Sequence, residues 1–150
     1  MKKFEFRLKT LLNYREQLEE LSKQNYREAL ARHSSYQEML EENRKRRNEA
    51  AIALSAMPLN HPLYPLMALT DHYLRQLSYL IEEQALTLLE LEKTAREKLE
   101  EYRARYREAE AIRRLREKKW RNYLREMERE EQKLQDDLFI ARWPTGVTEQ

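Results

Sequence analysis

Apolar and small residues recur through the first third of the chain at Phe4, Leu8, Leu11, Leu18, Leu21, Ala29, Tyr36, Leu40, Ala50 and Leu54. Their steps sum to threes and fours, which returns them to one face of a helix turning about 100° per residue. Arg15, Asn25, Asn43 and Arg47 fall on or beside this stripe. Polar residues in a helical seam lower stability while restricting which partner and register are accepted. No proline or glycine interrupts residues 3–57. The expected element is therefore one helix over about 3–57, on the order of 55 residues and roughly 80 Å long at 1.5 Å per residue.

A second stripe passes through Leu74, Leu77, Ile81, Leu88, Leu91, Ala95, Tyr102, Ala109, Ile112, Tyr123, Met127, Leu134 and Leu138, in steps of three, four, seven or their sums. Sustained heptad spacing predicts a second long helix over about 67–142. Its start is open between Pro65, which is harmless in a first turn, and a cap at Thr70 with Asp71. Between the stripes lies SAMPLNHPLYPL, which holds Pro58, Pro62 and Pro65; Pro144 and the only glycine, Gly146, lie near the other end. Prolines remove backbone donors and push the preceding residue out of the helical region, so a hinge is expected over about 58–66 and a flexible tail over 143–150. A connection of this length lets the chain reverse. The fold class expected is all-α, a single domain formed by an antiparallel two-helix coiled coil whose second helix is the longer. A parallel homodimer is the alternative, disfavoured because the prolines would interrupt both strands at the same height.

Composition agrees with stripes rather than a thick core. Charged residues make up 37% and mean hydropathy is −1.01, against about a quarter charged in ordinary globular domains. Yet 41% of residues are hydrophobic, too many for a disordered chain. The 29 basic and 27 acidic residues nearly cancel to +2, which leaves no large net field to recruit nucleic acid or an anionic membrane. The absence of cysteine excludes disulfides and thiolate metal sites. No apolar run approaches the roughly 18 residues that would span a bilayer, and no apolar signal core follows MKKFEFRLKT. A soluble, intracellular protein is expected.

Two asymmetries bear on function. The second helix exceeds the first by on the order of 20 residues, or roughly 30 Å, and the excess carries Leu134, Leu138, Phe139, Ile140 and Trp143. These either cover the start of the first helix, with Phe4 and Phe6, or form a surface without a hairpin partner. After the hinge, Leu74, Ile81 and Leu88 form one heptad row, and Tyr73, Leu77, Leu80 and Gln84 a second about 100° or less away. A single neighbouring helix buries only a narrow seam, so one row packs while the other is expected to stay partly exposed as a docking surface; the alternative is a wide stripe that improves packing near the turn.

Catalysis finds no support. His33, His61 and His72 are scattered, and there is no zinc-protease, phosphate-loop or nucleophile-elbow motif. No enzyme, cofactor or metal site is expected. RRLREKKWRNYLR, with Trp120 and Tyr123 among basic side chains, suits base stacking and phosphate contact, but MEREEQKLQDD follows at once and would repel a nucleic-acid backbone. A generic coiled-coil scaffold is a third reading.

The opening FEFRLKTLLNYRE, the post-hinge YLRQLSYLIEEQ and above all LREKKWRNYLREMEREEQKLQDD resemble FliJ, the coiled-coil family of the bacterial flagellar type III export apparatus. The resemblance spans nearly the whole chain in length, hinge position and helix layout. The hinge prolines and the tail WPTGVTEQ carry no part of it. It implies a non-enzymatic stalk, cytoplasmic and peripheral at the inner face of the inner membrane through the apparatus, with no membrane insertion and no nucleic acid of its own. Its partners would be a hexameric export ATPase (FliI-like) entered by the end bearing the termini, the cytoplasmic domain of an export gate (FlhA-like), and export chaperones. On this resemblance Tyr73, Leu77, Leu80 and Gln84 are the gate-contacting row. The ring-contacting set is Leu134, Leu138, Phe139 and Ile140. The basic run Arg113, Arg114, Arg116, Lys118, Lys119 and Arg121 becomes a candidate for ring or chaperone contact, its alternative being a solvated face balanced by Glu110, Glu117 and Glu126. An analogous stalk of an injection-type secretion system stays open. The hairpin is expected to be monomeric.

Overall fold

A computed structural model describes residues 2–62 and 64–143, and these contain two long α-helices and no strand. Helix α1 spans Lys9–Ser55, 47 residues. Helix α2 spans Met67–Arg142, 76 residues, and is entered through a single 3₁₀ turn at Tyr64–Leu66. The chain is an α-helical hairpin with the longer helix second, as the stripes predict. The tail expected over 143–150 lies, Trp143 apart, outside the described residues.

The boundaries differ from the expected ones where end effects act. Residues 2–8 are not helical; the helix is entered by turns in which Lys9 N–H donates to the Phe6 carbonyl at 3.1 Å and Leu12 N–H to that of Leu8 at 2.8 Å. Lys2, Lys3, Arg7 and Lys9 crowd this end, and the first turn holds no acidic residue. Cations oppose the positive end of the helix dipole, and Glu5 is the one acidic residue among residues 2–9 to offset them. At the other end Ser55 Oγ donates to the Ile52 carbonyl at 2.9 Å, and Pro58 ends the helical run. A turn follows, His61 N–H donating to the Pro58 carbonyl at 3.0 Å. Thr70 proves to lie inside α2, its Oγ1 donating back to the Leu66 carbonyl at 3.3 Å. The start is therefore on the Pro65 side, where an absent N–H costs nothing.

Tertiary contacts group the chain into two compact units, one of residues 19–104 and one combining residues up to Leu18 with those from Arg105 onward. In the first, Leu40 is wholly buried against Leu77 and Ile81, with Ala85 and Leu88 packed on the cluster. Beside it Asn43 Nδ2 donates to Gln84 Oε1 at 2.8 Å. From Ala29 to Leu54 the partly or fully buried positions of α1 include Ala29, His33, Tyr36, Leu40, Asn43, Arg47, Ala50 and Leu54. Those steps alternate four and three, the ladder of a two-helix seam. Leu21 is exposed and Ser22 takes the seam place, because a strict seven-residue step back from Ala29 lands on 22 and position 21 is about 100° away.

In the second unit Leu12 and Ala109 are buried, while Leu11, one residue off the seam, is exposed. Arg15 pairs with Glu108 at 2.7 Å and Glu16 with Arg113 at 3.3 Å. The non-helical N-terminal stretch continues along α2, with the Phe4 ring 5.0 Å from Trp120 and 5.4 Å from Tyr123 between centroids. As numbering rises from Phe4 to Arg15, partners fall from Tyr123 to Glu108, so the pairing is antiparallel.

Leu40→Ala should cost about 2–5 kcal/mol, the range for emptying a buried leucine site. Leu21→Ala should stay within about 0.5 kcal/mol, as surface changes do. Urea unfolding followed by circular dichroism measures both, and comparable losses would contradict this seam.

Candidate partner-binding surfaces

Beyond Met127 every described residue of α2 is exposed. The described N-terminal stretch is held short of this segment, Phe4 packing on Trp120 and Tyr123 and Tyr123 Oη donating to the Lys2 carbonyl at 3.0 Å. Of the two alternatives for Leu134, Leu138, Phe139 and Ile140, a cover over the start of α1 is therefore excluded for Phe4. The segment stays helical on local grounds: Glu, Arg, Lys, Gln and Leu are strong helix formers, and Arg142 in the last turn complements the dipole. Its apolar groups are not confined to one face. Leu134 and Leu138 continue the seam from Met127, whereas Phe139 and Trp143, in tilted contact one turn apart at 5.8 Å, lie roughly 140–180° round from Leu134, and Ile140 lies about 240° round. A helix end apolar on all sides calls for enclosure rather than contact along one stripe.

The post-hinge row divides, which corrects the expectation of one exposed face. Leu77 and Gln84 are each only 7% exposed and belong to the seam, whereas Tyr73 at 51% and Leu80 at 42% face outward. The reason is the alternation of threes and fours: Thr70, Leu74, Leu77, Ile81, Gln84 and Leu88 make one ladder, which takes in the heptad pair Leu77 and Gln84 and leaves the heptad row of Leu66, Tyr73 and Leu80 outside it. Ile81 is buried and Leu74 and Leu88 are half-buried. The outward face that remains is Leu66, Leu69, Tyr73 and Leu80, all exposed. Leu66 and Leu69 escaped the sequence reading, although steps of three and four from Tyr73 would have reached them.

Half of the basic run is engaged in ion pairs. Arg113 pairs with Glu16 and with Glu110 at 3.2 Å, Arg114 with Glu110 at 3.4 Å, and Arg121 with Glu117. Lys118 and Lys119 are exposed. Arg116 lines an open groove of about 460 Å³ together with Phe4, Leu12, Glu16, Arg113, Glu117 and Trp120. Trp120 and Tyr123 stack on each other at 5.5 Å and Phe4 packs against both, while Trp120 keeps 42% of its surface exposed.

Nothing gathers for chemistry among the described residues. His33 is half-buried in the seam, His61 is in the hinge turn and His72 is exposed on α2. No group of three potential metal ligands forms among these residues. The exposed Tyr79 phenol is held above its ordinary value by a hydrogen bond to Glu83 and by the charge of that carboxylate, which keeps it neutral.

The family model described as Flagellar FliJ protein matches residues 4–145. No curated protein and no solved structure matches the chain.

The aromatic contact makes a local prediction. Phe4→Ala should release residues 2–8 and speed tryptic cleavage after Lys3 and Arg7 by at least an order of magnitude while cleavage around Leu40 is unchanged. Limited digestion read by mass spectrometry decides, and an unaltered cleavage rate would mean that Phe4 does not hold the stretch.

Proposed function

We propose that this chain, which belongs to the FliJ family of flagellar proteins, is a non-enzymatic stalk that enters a hexameric export ATPase through the free end of α2 and contacts the export gate beside the hinge. Family membership makes it a component of the flagellar export apparatus. It also favours the flagellar reading over an injection-type system. The observation that carries the stalk reading is the end of α2, where Leu134, Leu138, Phe139 and Ile140 are exposed around the circumference of a helix without a neighbour. A pore surrounding one helix is the enclosure that such a surface suits. Burial there contributes roughly 1.5–3 kcal/mol for each side chain fully covered. Binding only to the closed ring biases weakly associating subunits toward it by mass action. ATP hydrolysis then belongs to the partner.

Tyr73 and Leu80 are the members of the post-hinge row that can meet the gate directly; Leu77 and Gln84 support them from the seam. Arg116, Lys118 and Lys119 remain the part of the basic run, otherwise Arg113, Arg114 and Arg121, with charge to offer a ring or an export chaperone. In this reading the protein acts in the cytoplasm, held at the inner membrane by the apparatus.

Removing residues 134–150 should abolish stimulation of the partner ATPase and spare gate binding, measured as hydrolysis against ATPase concentration with a parallel gate pull-down. Undiminished stimulation would overturn this assignment of ends. Tyr73→Ala combined with Leu80→Ala should weaken gate binding about tenfold or more, as loss of interface anchors does, with helicity by circular dichroism preserved. A large loss of helix would place these two residues in the core instead.

A further inference from the structure

The hinge end differs in kind from the rest of the molecule. No Asp, Glu, Lys or Arg occurs from Ala50 to Thr70, in a chain whose charged fraction is 37%. Within that stretch Ile52, Leu59, Leu66 and Leu69 are exposed, Leu59 at 78%. The closing turn of a hairpin needs turn residues, which Pro58, Asn60 and Pro62 supply; the apolar residues set among them, Leu59 above all, are not required by the turn. Immediately before it on α1 lies the run Arg44, Lys45, Arg46, Arg47, and just after it on α2 lies Arg75.

We infer that the hinge end docks shallowly on an anionic lipid surface. Between Arg44 and Arg75 there are five basic residues against two acidic ones, Glu49 and Asp71, with Arg47 half-buried in the seam and Glu41 and Glu42 standing just before the run. Arg44 and Arg46 share Glu41 and Glu42, and Arg75 shares Asp71. These are exposed pairs that hold their charges weakly. An uncharged apolar tip behind a basic collar is the arrangement that binds a bilayer interface: apolar side chains enter the headgroup boundary by roughly 5–10 Å and cations meet anionic headgroups. The spacing fits, since the run 44–47 lies roughly 12–17 Å back along α1 from Ser55 at 1.5 Å per residue, within reach of long Arg and Lys side chains that snorkel. No described helix is long and apolar enough to cross a membrane, so the contact is interfacial. It thus goes beyond the expectation of no membrane insertion without requiring a span. An apolar groove on a protein would accept the same leucines but gives no reason for the collar.

The test is flotation of the full chain with vesicles of phosphatidylcholine alone and of phosphatidylcholine with one-third phosphatidylglycerol. Binding to the anionic vesicles is expected, weak on the neutral ones and falling as salt screens the collar. Leu59→Glu with Leu69→Glu, both at exposed positions, should reduce binding at least tenfold at unchanged helicity. Lys45→Gln and Arg46→Gln should each reduce it about fivefold, the contribution of one cation near such a surface. A Leu59→Trp variant should gain a blue-shifted emission component on the anionic vesicles. No binding to either vesicle, equal binding to both, or binding indifferent to the glutamate substitutions would overturn the inference, and the first is the result expected if the apolar end belongs in a protein groove. No ATPase or gate protein enters the assay, so failure here leaves the stalk reading standing.

Discussion

One helix can cover only a narrow stripe of another, and among the described residues no third long helix lies alongside to cover the rest. Every fully buried position is therefore a rung of a ladder that alternates threes and fours, and residues one place off it are at most half-buried. Leu21 and Leu11 face water for that reason, while Asn43 and Gln84 are carried into the seam and answer each other with a 2.8 Å hydrogen bond. The polar pair contributes less stability than two leucines would. It does penalise sliding, because a shift along the ladder would leave both amides unpaired.

The same constraint decides what is left over. Short partnering of the N-terminal stretch, ended by Phe4 on Trp120 and Tyr123, strands the last part of α2 as a single helix. Such a helix must hold itself by propensity and charge alone. Alternating Glu, Arg, Gln and Lys through Lys133 do this, and the apolar residues that follow are then available to something outside the chain. Apolar groups on all sides of that end are costly for a free helix and make sense for an enclosed one.

At the hinge the prolines end α1 and set the start of α2, but they do not require the loss of every charge from Ala50 to Thr70. Turn formation accounts for Pro58, Pro62 and Pro65. It gives no reason for exposed Ile52, Leu59, Leu66 and Leu69. The two ends are thus apolar in different ways: a bare helix at one, and a broad turn behind a basic collar at the other.

Periodicity in the sequence was enough to determine two long helices, the hinge between them, the antiparallel reversal and the greater length of α2, because helical repeat and proline stereochemistry are local properties. The motifs in FEFRLKTLLNYRE and LREKKWRNYLREMEREEQKLQDD were enough for the family. Register was not legible. Whether Leu11 or Leu12, or Leu77 or Leu80, faces the partner depends on which residues stand opposite, and one position of offset turns a side chain by about 100°. That is why the row Tyr73, Leu77, Leu80, Gln84, continuous on paper, is divided between core and surface. Nor could the pattern foresee that Phe4 would leave the helix to cover Trp120, since the contact joins residues more than a hundred apart. The choice between a covered and a bare end of α2 was made there, by a tertiary contact that no local signal encodes.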